Sequence, residues 1–287
     1  MSAPRFGAAA AALAIAGGLV SCATPQTPEA AYLRGFDQAE AAARPFAPVT
    51  DTLPSMTLDE AYGLQRRLIA RRVSRGDRVA GWKGGLMSAA SLKARNVTAP
   101  LVGAMFASGR TQSGDTISLC SYRKASFEMK LGFVFREAVR TPPADVAALS
   151  RSVSDVLPVV DLPDIGYRDP DRYGAVDMVA ANVSAARYVR GDGRPGAGLD
   201  LDGLRVAMTR DGQPLTSGLG RESLGGQWES LLAVVRQLHA SGRSIAPGDV
   251  VITGKIGDRG WLPPGAYAAD YGPLGTVRFA VRACPTP

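Results

Sequence analysis

Three lysines and one glutamate stand where they could act on an anion. Glu128 and Lys130 are two residues apart in Phe127–Phe135, an alternating run. A strand there puts both side chains on one face. Such a pair is either a plain strand-face ion pair or the working end of a site. In a site, the carboxylate moves protons and the ammonium holds a negative group. Lys83 lies between Trp82 and Gly84-Gly85, as a solvated turn lysine or as a cation at a site mouth. Lys255 follows Thr253-Gly254 and precedes Gly257, where missing side chains leave the backbone open to a ligand. Asn182 and Ser184 can cap or turn the chain, or hydrogen-bond a carboxylate. His239 is the only histidine. It falls at the end of a helical run, where the dipole favours a cation, so a Ser-His-Asp or Cys-His engine has no other imidazole to use. No Cys or His spacing points to zinc.

The elements that would position these residues can be read from periodicity and caps. Thr57 and Glu60 form a capping box, and Leu58, Ala61, Tyr62, Gln65, Leu68 and Ile69 share one face of the helix that follows. Val79–Gly85 reads as a strand running into a glycine turn, and Ser88–Arg95 as a short capped helix. From Gly103 onward strands dominate: 127–135, 156–162, 183–189, 204–209 and, after the Asp211-Gly212 hairpin turn, one more. Trp228–His239 is a helix burying Leu231, Leu232, Val235 and Leu238, stopped by Gly242. Val250–Ile252 and 275–282 close the fold. Many strands and few helices give a β-rich α+β domain, with no internal repeat. Asp161 reads as structural, and 164–172, with its alternating charges, as a solvated loop.

Residues 1–21 have a different character. Arg5 is their only charge, and Phe6–Val20 is an apolar run shorter than the roughly 20 residues a membrane span needs. The pattern is that of a secretory signal peptide. Its exit, Leu19-Val20-Ser21-Cys22, resembles the bacterial lipobox, which implies acylation at Cys22. The organisation expected is therefore a lipoprotein signal at 1–21, a flexible tether at 22–55 with one short helix near 29–43, and a single domain at 56–287. The expected location is exported and lipid-anchored, at the outer membrane facing the periplasm. Cys120 and Cys284 would then lie where disulfides persist. Each sits beside a strand, so both a disulfide and two free thiols stay open. The net charge of +7 is scattered. No Lys/Arg block interleaved with aromatics tracks a phosphate backbone, which argues against nucleic acid and leaves small anionic ligands.

Six short pieces, in order, resemble the fumarylacetoacetate hydrolase superfamily, in its 2-keto-4-pentenoate hydratase and 4-oxalocrotonate decarboxylase branch. They are Ala61-Tyr62 with Gln65, Gly81-Trp82-Lys83-Gly84-Gly85-Leu86, Pro100–Gly103, Phe127–Phe133, Asn182–Ala185 and Gly248–Gly254. The resemblance covers about residues 57–282 and implies a β-rich mixed sheet roll with peripheral helices. It also implies a lyase acting on a small 2-oxo acid. In the family a divalent cation on three carboxylates polarises the 2-oxo group and stabilises an enolate. Carried over, the first carboxylate is Glu128, the second falls on Lys130 and the third near Pro158, so Glu128 is the only ligand kept. Ala181 replaces the acid of the Asp-Asn-x-Ser segment, and Lys255 replaces the usual Ser after Thr253-Gly254. The resemblance thus gives Lys83, Glu128 and Lys130 catalytic roles, and Lys255, Asn182, Ser184, Thr253 and Gly254 substrate-binding roles. No cofactor is expected, because the lysines replace the metal. Mg²⁺ or Mn²⁺ held with Asp155, Asp161 or Asp164 as substitutes is the other reading. A pseudoenzyme that keeps the pocket as a carboxylate binder, or serves in the cell envelope, is the alternative function, and the resemblance implies a homo-oligomer.

Overall fold

The computed structural model describes Met1 and residues 27–169 and 171–285. The apolar run at 6–20 and the acylation candidate Cys22 lie outside the described residues. Six helices are described: α1 (Pro28–Ala41), α2 (Leu58–Ser74), α3 (Ala89–Ala94), α4 (Val146–Arg151), α5 (Ala175–Ala180) and α6 (Gln227–Ala240). The strands are β1 (Val79–Gly85), β2 (Leu101–Phe106), β3 (Arg110–Gln112), β4 (Thr116–Ser118), β5 (Ser126–Phe135), β6 (Val153–Leu162), β7 (Arg187–Arg190), β8 (Arg205–Arg210), β9 (Gln213–Leu219), β10 (Val250–Ile252), β11 (Ile256–Trp261), β12 (Gly265–Asp270) and β13 (Thr276–Arg282).

They form two mixed sheets. The larger runs β2-β1-β10-β5-β6-β7-β3, with β11 on the outer half of β5, and the smaller runs β4-β13-β12-β8-β9. This is the β-rich α+β architecture read from the sequence. The centre of the large sheet is covered on both faces, which is why β5 and β6 are nearly continuous apolar runs. Trp82, Met129, Leu131, Phe133, Val156, Val160 and Val251 join the main core. The residues alternating with them, Leu157, Val159, Val250 and Ile252, join Met105 and Tyr188 in a smaller cluster on the opposite face. That second face carries the site.

Residues 28–55, read from composition as a tether, are built into the body. Thr27 caps α1 through its side chain and Pro28 opens it. Tyr32, Leu33, Phe36, Phe46 and Val49 are buried. Phe46 pairs with the backbone around Tyr167, accepting from Arg168 at 2.8 Å and donating to Gly166 at 3.0 Å. An Ala/Pro/Thr-rich stretch concealed an aromatic spacing that reaches the core. The segment read as a solvated loop is likewise anchored at its start, because Asp164, Ile165 and Tyr167 are buried. Cys120, just after β4, and Cys284, just after β13, form a disulfide with a Cα separation of 4.6 Å. Among the described residues no helix is long and apolar enough to cross a membrane.

Candidate active site

β5 brings Glu128 and Lys130 to one face, and its antiparallel partner β6 sets Asp161 directly opposite Glu128. β1 enters from the other side. Lys83 is level with Ile252 of β10, which in turn is level with Gly132 of β5. From there the long Lys83 side chain reaches the same cluster. The Lys83 ammonium lies 2.6 Å from Asp161 Oδ2. Lys130 Nζ lies 3.0 Å from Glu128 Oε2 and 3.2 Å from Asp161 Oδ2, and it donates to the Gly84 carbonyl at 3.2 Å. Gly84 is required there: a Cβ would stand 2.7 Å from the Val234 side chain. The side chains of Lys83, Lys130 and Asp161 are each 3% exposed, and that of Glu128 is 19% exposed.

The electrostatics follow from burial against pairing. Burial by itself depresses an ammonium and raises a carboxyl. Burial is also the largest influence on Lys83, and with the neighbouring Lys130 charge it pulls the Lys83 pKa below the ordinary lysine value, against the attraction of Asp161. Lys130 is equally buried, but the charges of Glu128 and Asp161 together outweigh burial and hold its pKa above the ordinary value. Asp161 resists burial through Lys83 first and Lys130 second, and its pKa is lowered. Pairing thus holds Lys130 and Asp161 toward their charged forms while burial pulls Lys83 toward neutrality, and the formal charges of the two lysines and two carboxylates balance.

The cluster opens into a cavity of about 380 Å³, a size that suits a small organic ligand. Lys83, Glu128, Lys130, Ser184, Gly254 and Lys255 all line it, as the sequence reading anticipated, and Arg95, Arg259 and Glu222 join them. Beyond the balanced cluster, three cations face one carboxylate, so the cavity favours an anion. Its apolar wall includes Met87, Ile165, Met178 and Val183. The Arg95 guanidinium packs over the Tyr173 ring at 4.7 Å and donates to the Tyr173 carbonyl. Lys255 Nζ is turned to the Gly257 carbonyl at 2.8 Å.

Two residues read as substrate contacts do other work. Asn182 Oδ1 accepts from Ala104 N at 2.7 Å and its Nδ2 donates to Ala104 O at 2.9 Å, so both ends of the amide pair with the outer edge of β2. This pins a turn in which Asn182, Val183 and Ser184 all have φ between 52° and 54°, a costly conformation outside glycine. Gly85 and Gly103 make room for it, since a Cβ on either would fall 2.6 Å from Val183 Cγ1 or Asn182 O. Asn182 therefore positions Val183 and Ser184, which reach the cavity. Thr253 is buried behind the wall, its hydroxyl 2.6 Å from Gln227 Oε1. Ser223 Oγ accepts from Gly254 N at 3.2 Å and meets Ser230 Oγ at 2.6 Å, steadying the loop that presents Lys255.

Asp161, read as structural and otherwise only as one of three substitute metal ligands, belongs to the cluster as the partner of both lysines. The second carboxylate of the cluster lies there rather than near Pro158, because the register places Asp161, not Pro158, across from Glu128. Asp164 points elsewhere, into a clasp with Arg123. His239 ends α6 and lies off the cavity.

No family model matches the chain. A 2-keto-4-pentenoate hydratase of Paraburkholderia xenovorans (strain LB400) is 30% identical over 258 residues, which cover 89% of this chain and 95% of that one. The chain belongs to the 2-keto-4-pentenoate hydratase family. A 2-keto-4-pentenoate hydratase of Burkholderia vietnamiensis (strain G4 / LMG 22486) is 33% identical over 245 residues, covering 84% of this chain and 92% of the relative. The solved 4-oxalocrotonate decarboxylase from Pseudomonas putida G7, complexed with calcium and acetate, superposes with a TM-score of 0.82 at 25% identity, covering 88% of this chain and 96% of that one. A fumarylacetoacetate hydrolase family protein from Yersinia pestis CO92 superposes with a TM-score of 0.53 at 13% identity, covering 70% of this chain and 92% of that one, so the fold is one shared with that superfamily.

A divalent ion held in a relative raises the question of whether this site fits one. The donor set does not. Among the described residues no three of His, Cys, Asp and Glu converge as metal ligands. Glu128 and Asp161 converge on the Lys130 ammonium, with Lys83 beside them. At about 4 Å and an effective dielectric of about 20, two unit charges interact by roughly 4 kcal/mol. A dication next to both ammonium groups would be repelled by about twice that from each, which offsets the attraction of the two carboxylates and leaves no net electrostatic gain for the ion.

Proposed function

We propose that this chain is a hydratase-like lyase acting on a small, unsaturated 2-oxo acid or its enol. The single observation that carries the reading is the buried four-charge cluster opening onto an anion-favouring cavity, in a chain with hydratases among its relatives. The roles follow from who has spare valence. An ammonium has three donors. Lys83 has one contact, to Asp161, and keeps donors for the substrate's carboxylate or 2-oxo oxygen. Charge that develops on that oxygen as the enolate forms meets a fixed cation in a water-poor setting, where such contacts are strongest. Glu128 is the most exposed member of the cluster and moves the proton at the neighbouring carbon. Lys255 and Arg95 lie on the cavity wall and attract the acid. The reaction uses Lys83 and Glu128 and takes no step through a metal.

The same reading places the protein outside the cytoplasm on a lipid anchor at Cys22. Its support is the signal-like pattern of residues 1–22 together with the disulfide, a bond that persists in oxidising compartments. Fractionation of cells expressing the chain and its Cys22→Ala variant tests the anchor: membrane for the first, soluble for the second.

The decisive assay follows loss of the conjugated-dienol absorbance of 2-hydroxypenta-2,4-dienoate, with decarboxylation of 4-oxalocrotonate in parallel. Turnover that collapses in Lys83→Met supports the lyase. Saturable binding of pyruvate with no turnover of either substrate would overturn it in favour of a carboxylate binder.

A further inference from the structure

Lys130 differs from the other lysines of the cavity in being enclosed by oxygen. Its Nζ donates to the Gly84 carbonyl at 3.2 Å and is ion-paired with Glu128 at 3.0 Å and Asp161 at 3.2 Å, so three oxygens surround it. Two of the three are carboxylates on adjacent strands, set opposite each other by the β5–β6 register. The backbone beneath is held as well, because Lys130 N donates to Tyr271 Oη at 3.3 Å and Tyr271 Oη donates to the Val159 carbonyl at 2.5 Å. The residue is 2% exposed. An ammonium wrapped in carboxylate and carbonyl oxygens presents the ligand arrangement of a bound cation, supplied by the chain itself.

We propose that the Lys130 ammonium is a resident cation that closes the Glu128–Asp161 pair to divalent ions, and that replacing it with a carboxylate is enough to turn the cluster into a metal site. It neutralises the two carboxylates, together with Lys83, so the pocket carries the positive field an enolate needs without drawing an ion from solution. The proposal deepens the functional reading but is tested apart from it, by binding rather than turnover. Charge counting gives the direction. Lys130→Glu leaves three carboxylates against the single charge of Lys83, a deficit of two that a dication fills to neutrality. The new carboxylate lies on the same face as Glu128, two residues along one strand, and across from Val159 of β6.

The experiment is a titration of purified protein with MnCl₂ at neutral pH, following the free-ion electron paramagnetic resonance signal and the heat of binding. The wild type leaves the free-ion signal unchanged up to millimolar Mn²⁺. Lys130→Glu removes one equivalent at sub-millimolar Mn²⁺, and Glu128→Gln added to it abolishes that binding. Because an unpaired carboxylate cluster can weaken the fold, the thermal midpoint is read in the same samples. Mn²⁺ raises that of Lys130→Glu and not that of the wild type, as linkage requires of a ligand bound by the folded state. One equivalent taken up by the wild type and lost in Glu128→Gln overturns the proposal. So does Lys130→Glu that folds, with or without Mn²⁺, and binds none.

Discussion

Asp161 and Asp164 are three residues apart, nearly equally buried and both paired with cations, yet they belong to different machines. Asp164 is saturated. Its carboxylate accepts from the backbone of Arg123 and Lys124 at 2.8–3.2 Å and from Arg123 Nε at 2.8 Å. The same Arg123 guanidinium packs over Phe46 at 4.8 Å, tying the N-terminal segment to the sheet. Asp161 takes both of its close cations on one oxygen, Oδ2, and both cations, Lys83 and Lys130, line a cavity. A carboxylate whose lone pairs are all used by backbone and one guanidinium holds structure. A carboxylate shared between two ammonium groups at a cavity wall sets their charge state. Burial and pairing alone do not distinguish the two.

Removing each carboxylate should break the comparison open. Asp161→Asn leaves two buried ammonium groups with Glu128 alone, so it should cost about 3–5 kcal/mol of stability, and the remaining folded protein should lose nearly all turnover. Asp164→Asn should cost a similar few kcal/mol by unfolding in urea while turnover per folded molecule is preserved. Equal catalytic loss in both would erase the distinction. Lys83→Met, which removes the ammonium with spare donors, should lower kcat per folded molecule by roughly 10²–10³-fold and also lower the thermal midpoint, because it takes one partner from a buried ion pair.

Reducing the Cys120–Cys284 bond should cost about 2–5 kcal/mol, seen as a lower midpoint in reductant, with unchanged kcat at 25 °C because the bond lies off the cavity. The pH profile gives the finest test. Lys83 acts as the ammonium, and its pKa is pulled below the ordinary value by burial and by Lys130. Activity should therefore fall on the alkaline side at a lower pH than a free lysine would dictate. Asp161 has its pKa lowered, so its contribution to stability is present above the carboxylate's unfolded pKa and is lost only as pH falls through the lower folded value. An alkaline limb at the free-lysine value would assign the limb to another group.

How much of this was legible in the sequence follows a physical line. Alternation put Glu128 and Lys130 on one face and glycine flanks marked Lys83 and Lys255 as open positions, but only the family resemblance gathered the four into one site. The fold class was legible from the same alternation. Asp161 was not, since its place depends on the β5–β6 register, which is a relation between two strands rather than a property of either. The alternation of Leu157, Val159 and Asp161 with Val156, Val160 and Leu162 held the signal. Asn182 and Thr253 look like ligand contacts by type, but their polar atoms are used by Ala104 and Gln227, partners 78 and 26 residues away. Residues 28–55 hid their packing because small residues outnumber the few aromatics that do the burying.

The claim at the centre is that a side-chain ammonium occupies the space between Glu128 and Asp161. Anomalous diffraction from crystals grown in MnCl₂ and collected at the manganese edge measures this directly. The account predicts Lys130 Nζ between the two carboxylates and no manganese peak among them. A manganese peak there, with the Lys130 side chain displaced into the cavity, would contradict it.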